Sequence, residues 1–135
     1  METERTNGEF VLKLIESKSI STCHDVSDGG ILVAISEMIL ASLSAGFEIG
    51  ANISKKCRSE ELEAWLFGED QGRYIIEINN KDLKKVTDIL NKNAVHFDEL
   101  GTINENELYI NDKTKVTIDE LSTSNKSWLT NYMSK

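Results

Sequence analysis

The stretch CHDVSDGGILVAISEMILAS, residues 23–42, sets a histidine, two aspartates, a serine and two glycines against a long apolar run. A helix start needs an acceptor for its orphan backbone N–H groups, and Ser27 or Asp28 could serve as that N-cap. Asp25 would then decorate a tight turn, Gly29 and Gly30 would let the chain turn closely, and His24 would be a satisfied core histidine. That reading leaves a cost unexplained, since Gly-Gly in a first helical turn forfeits on the order of 1 kcal/mol per residue against alanine. Glycines at a helix start expose N–H groups to an incoming anion, and the helix dipole favours negative charge there. Two carboxylates beside a phosphate would repel it unless a hard cation such as Mg2+ lay between them. On the residues alone, a capped helix and a metal-assisted anion site both stand.

Other groups invite a chemical reading. GEDQGR, Gly68 to Arg73, gathers Glu69, Asp70, Gln71 and Arg73 between glycines. It reads most simply as a solvated connection, and alternatively as a loop that positions a ligand or partner. Cys23 beside His24 invites comparison with a thiol–imidazole pair, but neighbouring strand residues point to opposite faces, so a structural cysteine is expected. Cys23 and Cys57 make no Cys-x-x-Cys pair, which argues against structural zinc. His96 in AVHFD reads as a strand residue, and Lys55, Lys56 and Arg58 read as a solvated basic cluster.

Apolar spacing supplies the scaffold that must position these residues. GEFVLKLIESK puts Val11, Leu14, Ile15 and Lys18 on one helical face, and a second helix from near Gly29 is apolar around most of its circumference. GFEIGANIS alternates Phe47, Ile49, Ala51 and Ile53 with polar residues or glycine, the period of a strand with one wet face. SEELEAWLFG predicts a short helix, GRYIIEINN a strand, and KDLKKVTDIL a helix with Leu83, Val86, Ile89 and Leu90 inward. AVHFDELGTI, ELYIN and TKVTI read as three strands, the last two joined by a hairpin turn at Asn111, Asp112 and Lys113. Trp128, Leu129, Tyr132 and Met133 predict a final helix that docks by its aromatic residues. Because the closing strands are sequential, the expected class is α+β, helices packed on a mixed β-sheet, rather than a doubly wound parallel sheet. Residues 1–7 are expected to form a flexible lead and residues 8–135 a single domain.

The 135 residues carry a formal net charge of −8, which works against a surface that must neutralise a nucleic-acid backbone. The longest apolar stretch, Ile31 to Leu43, is interrupted by Ser36, Glu37 and Ser42 and is too short to span a bilayer. No basic-then-apolar leader opens the chain, so a cytoplasmic protein with reduced thiols and no membrane partner is expected.

HDVSDGG running into ILVAISEM, followed by GFEI and LFGEDQGRYIIEI, resembles the C-terminal domain of phosphoribosylformylglycinamidine synthase in its small bacterial form. That domain is a member of the aminoimidazole ribonucleotide synthetase superfamily, and the likeness runs from about Asn7 onward. Thiamine monophosphate kinase and other members carry variants of the same turn, but the doubled glycine together with FGEDQGRY favours the synthase. The resemblance implies an aminoimidazole ribonucleotide synthetase C-terminal-domain-like fold. It also implies an ATP-dependent ligase of purine biosynthesis, which activates the formamide oxygen of formylglycinamide ribonucleotide and lets ammonia displace the phosphate. Carried onto this chain, it makes Asp25 and Asp28 contacts to Mg2+ or nucleotide phosphate, and turns Ser27, Gly29 and Gly30 toward phosphate. His24 is a candidate support, and no complete catalytic set lies in this chain. The resemblance further implies that ATP and Mg2+ are held mainly by domains absent here, that the partners are those remaining domains, and that a separate glutaminase subunit supplies ammonia. Two other readings are a freestanding interaction module without catalysis and the equivalent domain of a kinase of the thiamine monophosphate type.

Overall fold

The structure is a computed structural model that describes residues 2–55 and 58–134, with the side chains of Glu2, Ser59, Glu60 and Leu129 outside the description. Its helices are α1 (Glu2–Glu16), α2 (Gly30–Ser44), α3 (Ser59–Phe67), α4 (Asn80–Lys92) and α5 (Ile118–Met133). Its strands are β1 (Thr22–Asp25), β2 (Gly50–Ile53), β3 (Tyr74–Glu77), β4 (Gly101–Asn104), β5 (Glu107–Ile110) and β6 (Thr114–Thr117). Helices and strands interleave around one two-stranded and one four-stranded mixed sheet, the α+β class that the sequence led us to expect. The chain forms two compact units, one of residues up to Ala34 with Glu63–Glu99, the other of Ile35–Leu62 with residues from Leu100 onward.

In the first unit β1 and β3 pair antiparallel, with Cys23 opposite Ile76 and Asp25 opposite Tyr74. Leu14 of α1 and Val86 and Leu90 of α4 form a buried cluster, against which Ile20, Ile76, Ile78 and Val95 pack. The apolar stripes are narrower than their spacing implied, for Ile15 and Leu83 are exposed beside the buried Leu14 and Val86. Residues 2–7, expected as a lead, are instead the first turns of α1. Arg5 pairs with Glu9 at 2.8 Å one turn on, and Asn7 Nδ2 donates to the Gly72 carbonyl at 3.0 Å, which ties the helix start to the loop before β3.

In the second unit the strand order is β4-β2-β5-β6, with β2 antiparallel to β4 and parallel to β5. The closing strands are thus not a simple meander, because β2 lies between β4 and β5. The short link from Asn104 to Glu107 crosses the start of β2 at Gly50, where any Cβ would collide with the Glu107 backbone. Asn104 braces the crossing: its Nδ2 donates to Asn52 Oδ1 at 2.7 Å and to the Glu107 carbonyl at 2.8 Å. Its Oδ1 accepts the N–H groups of Asn106 and Glu107. The expected hairpin joins β5 to β6, with Asn111 and Asp112 at φ 53° and 56°, the conformation that two-residue hairpin turns favour. Ile53, Leu108, Ile110 and Ile118 are buried in this unit.

Helix α5 starts at Ile118, ten residues before Trp128, behind a capping box in which Thr117 accepts the Glu120 N–H and Glu120 accepts the Thr117 N–H. Among its described side chains, which do not include Leu129, those buried are Ile118 and Ser122, whereas Trp128 and Tyr132 are 61% and 69% exposed, so the described aromatic residues do not dock the helix. Phe47 precedes β2 and is 62% exposed; the chain becomes a strand only at Gly50. His96 is exposed and outside any strand, because residues 95–100 run without regular pairing before β4. In the expected basic cluster, Arg58 is committed to an ion pair with Glu61, and Lys56 lies outside the described residues, as does Cys57. Among the described residues no helix is long and apolar enough to cross a membrane.

Removing the α5 cap with Thr117→Ala should lower unfolding stability by about 1 kcal/mol, read as a lower urea midpoint at unchanged slope. Leu108→Ala, which empties a sealed site on β5, should cost about 2–5 kcal/mol in the same measurement.

Candidate functional site

The polar turn between β1 and α2 is fixed at both ends by the segment from α3 to β3. At its near end Val26, 5% exposed, donates its N–H to the Arg73 carbonyl at 2.9 Å and so extends the β1–β3 ladder by one bond. At its far end Gly29 and Gly30 adopt φ of 81° and 73°, a region where a side chain is strained. The Gly29 N–H donates to Glu69 Oε1 at 2.9 Å, and the Gly30 N–H donates to the Ser27 carbonyl at 3.1 Å. Gly30 is buried: a Cβ there would lie 2.7 Å from the Leu66 carbonyl oxygen and 2.9 Å from that of Gly68. The start of α2 therefore rests on the carbonyl end of α3, and positive and negative helix ends face each other.

Between these anchors Ser27 and Asp28 stand exposed, and among the described residues neither side chain makes a hydrogen bond. Neither side chain therefore serves as the N-cap, and the residue just before α2, Gly29, gives its N–H to the carboxylate of Glu69, forty residues along the chain. The doubled glycine has a packing cause at Gly30, and its N–H and that of Gly29 both have internal partners. A phosphate reaching those two groups would have to replace Glu69 and the Ser27 carbonyl.

Asp25 ends β1 with its side chain 70% exposed. Beside it, His24 Nδ1 lies 3.9 Å from Asp25 Oδ1 and donates to the Asp25 carbonyl at 2.6 Å. Cys23 is half-buried; burial first, and the Asp25 charge second, push its thiol above the usual range, which fits a structural cysteine. As for Mg2+, among the described residues no three His, Cys, Asp or Glu side chains gather as ligands. Asp25 and Asp28 alone do not fit a complete site for a hard cation, which takes six or so oxygens.

The structure thus brings together the two stretches that carried the resemblance, HDVSDGG and FGEDQGRY, through Val26–Arg73, Gly29–Glu69 and Gly30–Gly68. Glu69 and Arg73 are the residues that sequence reasoning left without a role. Arg73 donates to the Gly68 carbonyl and pairs with Asp70 at 3.3 Å, folding the loop on itself. The signal for Glu69 was faint: an acid directly after the helix-ending Phe67-Gly68, in a loop whose Asp70 and Arg73 gave it no distinction.

Comparison with known proteins agrees with this architecture. The family described as AIR synthase related protein, C-terminal domain, matches residues 1–113. The chain belongs to that family. Among curated relatives, the phosphoribosylformylglycinamidine synthase subunit PurL of Pelagibacter ubique is 52% identical over 96% of this chain, which spans 17% of that protein. PurL of Bartonella bacilliformis is 35% identical over 98% of this chain, again 17% of its length. The fold is also that of T. maritima PurL complexed with FGAR, at TM-score 0.69, 22% identity and 88% of this chain against 21% of that one. T. maritima PurL complexed with ATP matches at TM-score 0.65, 22% identity and 84% of this chain against 20% of that one. PurLQS from Thermotoga maritima matches at TM-score 0.69, 20% identity and 88% of this chain against 21% of that one.

Gly30→Ala, which combines a strained φ with a collision against backbone carbonyls, should destabilise the protein by about 3 kcal/mol, measured by urea unfolding. At pH 8, Cys23 should alkylate with iodoacetamide more slowly than the same thiol in the denatured chain, followed by peptide mass spectrometry.

Proposed function

We propose that this chain is the C-terminal part of a PurL-type phosphoribosylformylglycinamidine synthase, contributing one wall of an active site completed by the rest of that protein. The reaction is the ATP-dependent conversion of formylglycinamide ribonucleotide and ammonia to formylglycinamidine ribonucleotide. The observation that carries the reading is the state of the turn: Asp25, Ser27 and Asp28 hold exposed polar groups, while the Gly29 N–H beside them is taken by Glu69. A turn whose own side chains are not consumed by its fold is available to a ligand. The 52% identity to a PurL subunit across 96% of the chain supports the same reaction.

In this reading Asp25 and Asp28 face a divalent cation or the nucleotide, as part of a donor set completed outside this chain, and the Ser27 hydroxyl faces phosphate. Gly29 and Gly30 give the turn its path, which leaves Ser27 and Asp28 at its exposed side. His24 orients the end of β1 through its bond to the Asp25 carbonyl. The ammonia comes from a glutaminase subunit, a partner supported by the PurLQS assembly of the related Thermotoga protein. Such an enzyme works in the cytoplasm, with Mg2+ and ATP.

In the complete protein, Asp25→Ala and Asp28→Ala should each lower kcat/KM about tenfold or more while leaving the thermal midpoint near that of the parent. ADP release with formylglycinamide ribonucleotide and ammonium as substrates measures this. Parent-like activity in both variants removes the turn from the active site.

A further inference from the structure

Building on the proposed function, we propose that Glu69 is a positioning residue, which holds the Asp25–Gly30 turn in the conformation that meets the ligand. Against the segment from α3 to β3, among the described residues, the turn is pinned at three points, and two of them are backbone or packing contacts: Val26 to Arg73, and Gly30 on the end of α3. The third, Gly29 N–H to Glu69 Oε1, is the one made by a side chain. It falls where the chain is least constrained by its own covalent structure, since glycine surrenders more conformational freedom on folding than any other residue. Without an acceptor there, ψ of Asp28 and φ of Gly29 are free to change, and the turn can settle into other conformations that place the Asp28 carboxylate and the Ser27 hydroxyl differently.

The Glu69 side chain is exposed, and the order around it comes from its backbone. Its backbone lies in a loop closed by Arg73, which donates to the Gly68 carbonyl and pairs with Asp70. The carboxylate also puts a negative charge at the positive end of α2, a favourable position that draws it toward Gly29. The contact is therefore a preorganising one: it fixes the ligand-facing groups before a ligand arrives, so that binding does not have to order them.

The test uses the complete protein with Glu69→Ala and Glu69→Gln, the glutamine keeping an oxygen that accepts from Gly29. Two readouts are needed: steady-state kinetics with ATP, formylglycinamide ribonucleotide and ammonium, and amide hydrogen exchange at Gly29. Glu69→Ala should lower kcat/KM about tenfold and speed exchange at Gly29, with Glu69→Gln restoring both to within about threefold of the parent. Parent-like kinetics in Glu69→Ala overturns the proposal. So does a lowered thermal midpoint with unchanged kinetics, which marks a purely structural contact, and so does an equal loss in Glu69→Gln with Gly29 still protected, which marks a charge effect. A parent protein that forms no formylglycinamidine ribonucleotide is a different failure: it overturns the proposed function first, and the positioning role with it.

Discussion

At the junction of α2 and α3 a positive helix end meets the carbonyls at the negative end of its neighbour, across a gap that only a residue without a side chain can keep. Gly30 is that residue. Its carbon sits where any Cβ would press on the Leu66 and Gly68 carbonyls, and its left-handed φ turns the chain from the Ser27–Asp28 bend into α2. The close approach sets where α2 begins, and α2 in turn buries Ile31, Ala34, Ile35 and Ile39.

The starts of α5 and α2 meet their exposed N–H groups by different routes. At α5 the acceptors are local: Thr117 and Glu120 satisfy each other's N–H groups within one turn. At α2 the acceptor comes from Glu69, in a loop that β3 has brought alongside through its pairing with β1. A local cap consumes the side chains of the turn it closes. A remote acceptor spares them, and the spared residues here are the serine and aspartate that give the turn its chemical character.

Much of the architecture was legible in the sequence. Helix α2, the pairing-competent YIIE segment and the Val86–Leu90 face of α4 follow from apolar period, and the Asn111–Asp112 hairpin follows from residues that tolerate positive φ. The insertion of β2 between β4 and β5 was not legible, because it depends on a glycine at a crossing between segments distant in sequence. The exposed aromatic end of α5 was misread for a related reason: large apolar residues at helical spacing say that a face is apolar, not that this chain covers it. At the site, the polar turn stood out, but its partner did not. A glutamate after Phe67-Gly68 looks like any solvated acid until β1 and β3 pair and bring it to Gly29.

The central place of β2 also governs the order in which the four-stranded sheet can be built. Both strands that flank it, Gly101–Asn104 and Glu107–Ile110, come from the far side of α3, β3 and α4. During synthesis β2 therefore emerges with two open edges and nothing to pair with, and the loop that must close before the sheet exists is one of the longest in the chain. A sheet of this topology closes more slowly than a meander of the same strands would, and until it closes Gly50–Ile53 is a segment that other chains could capture.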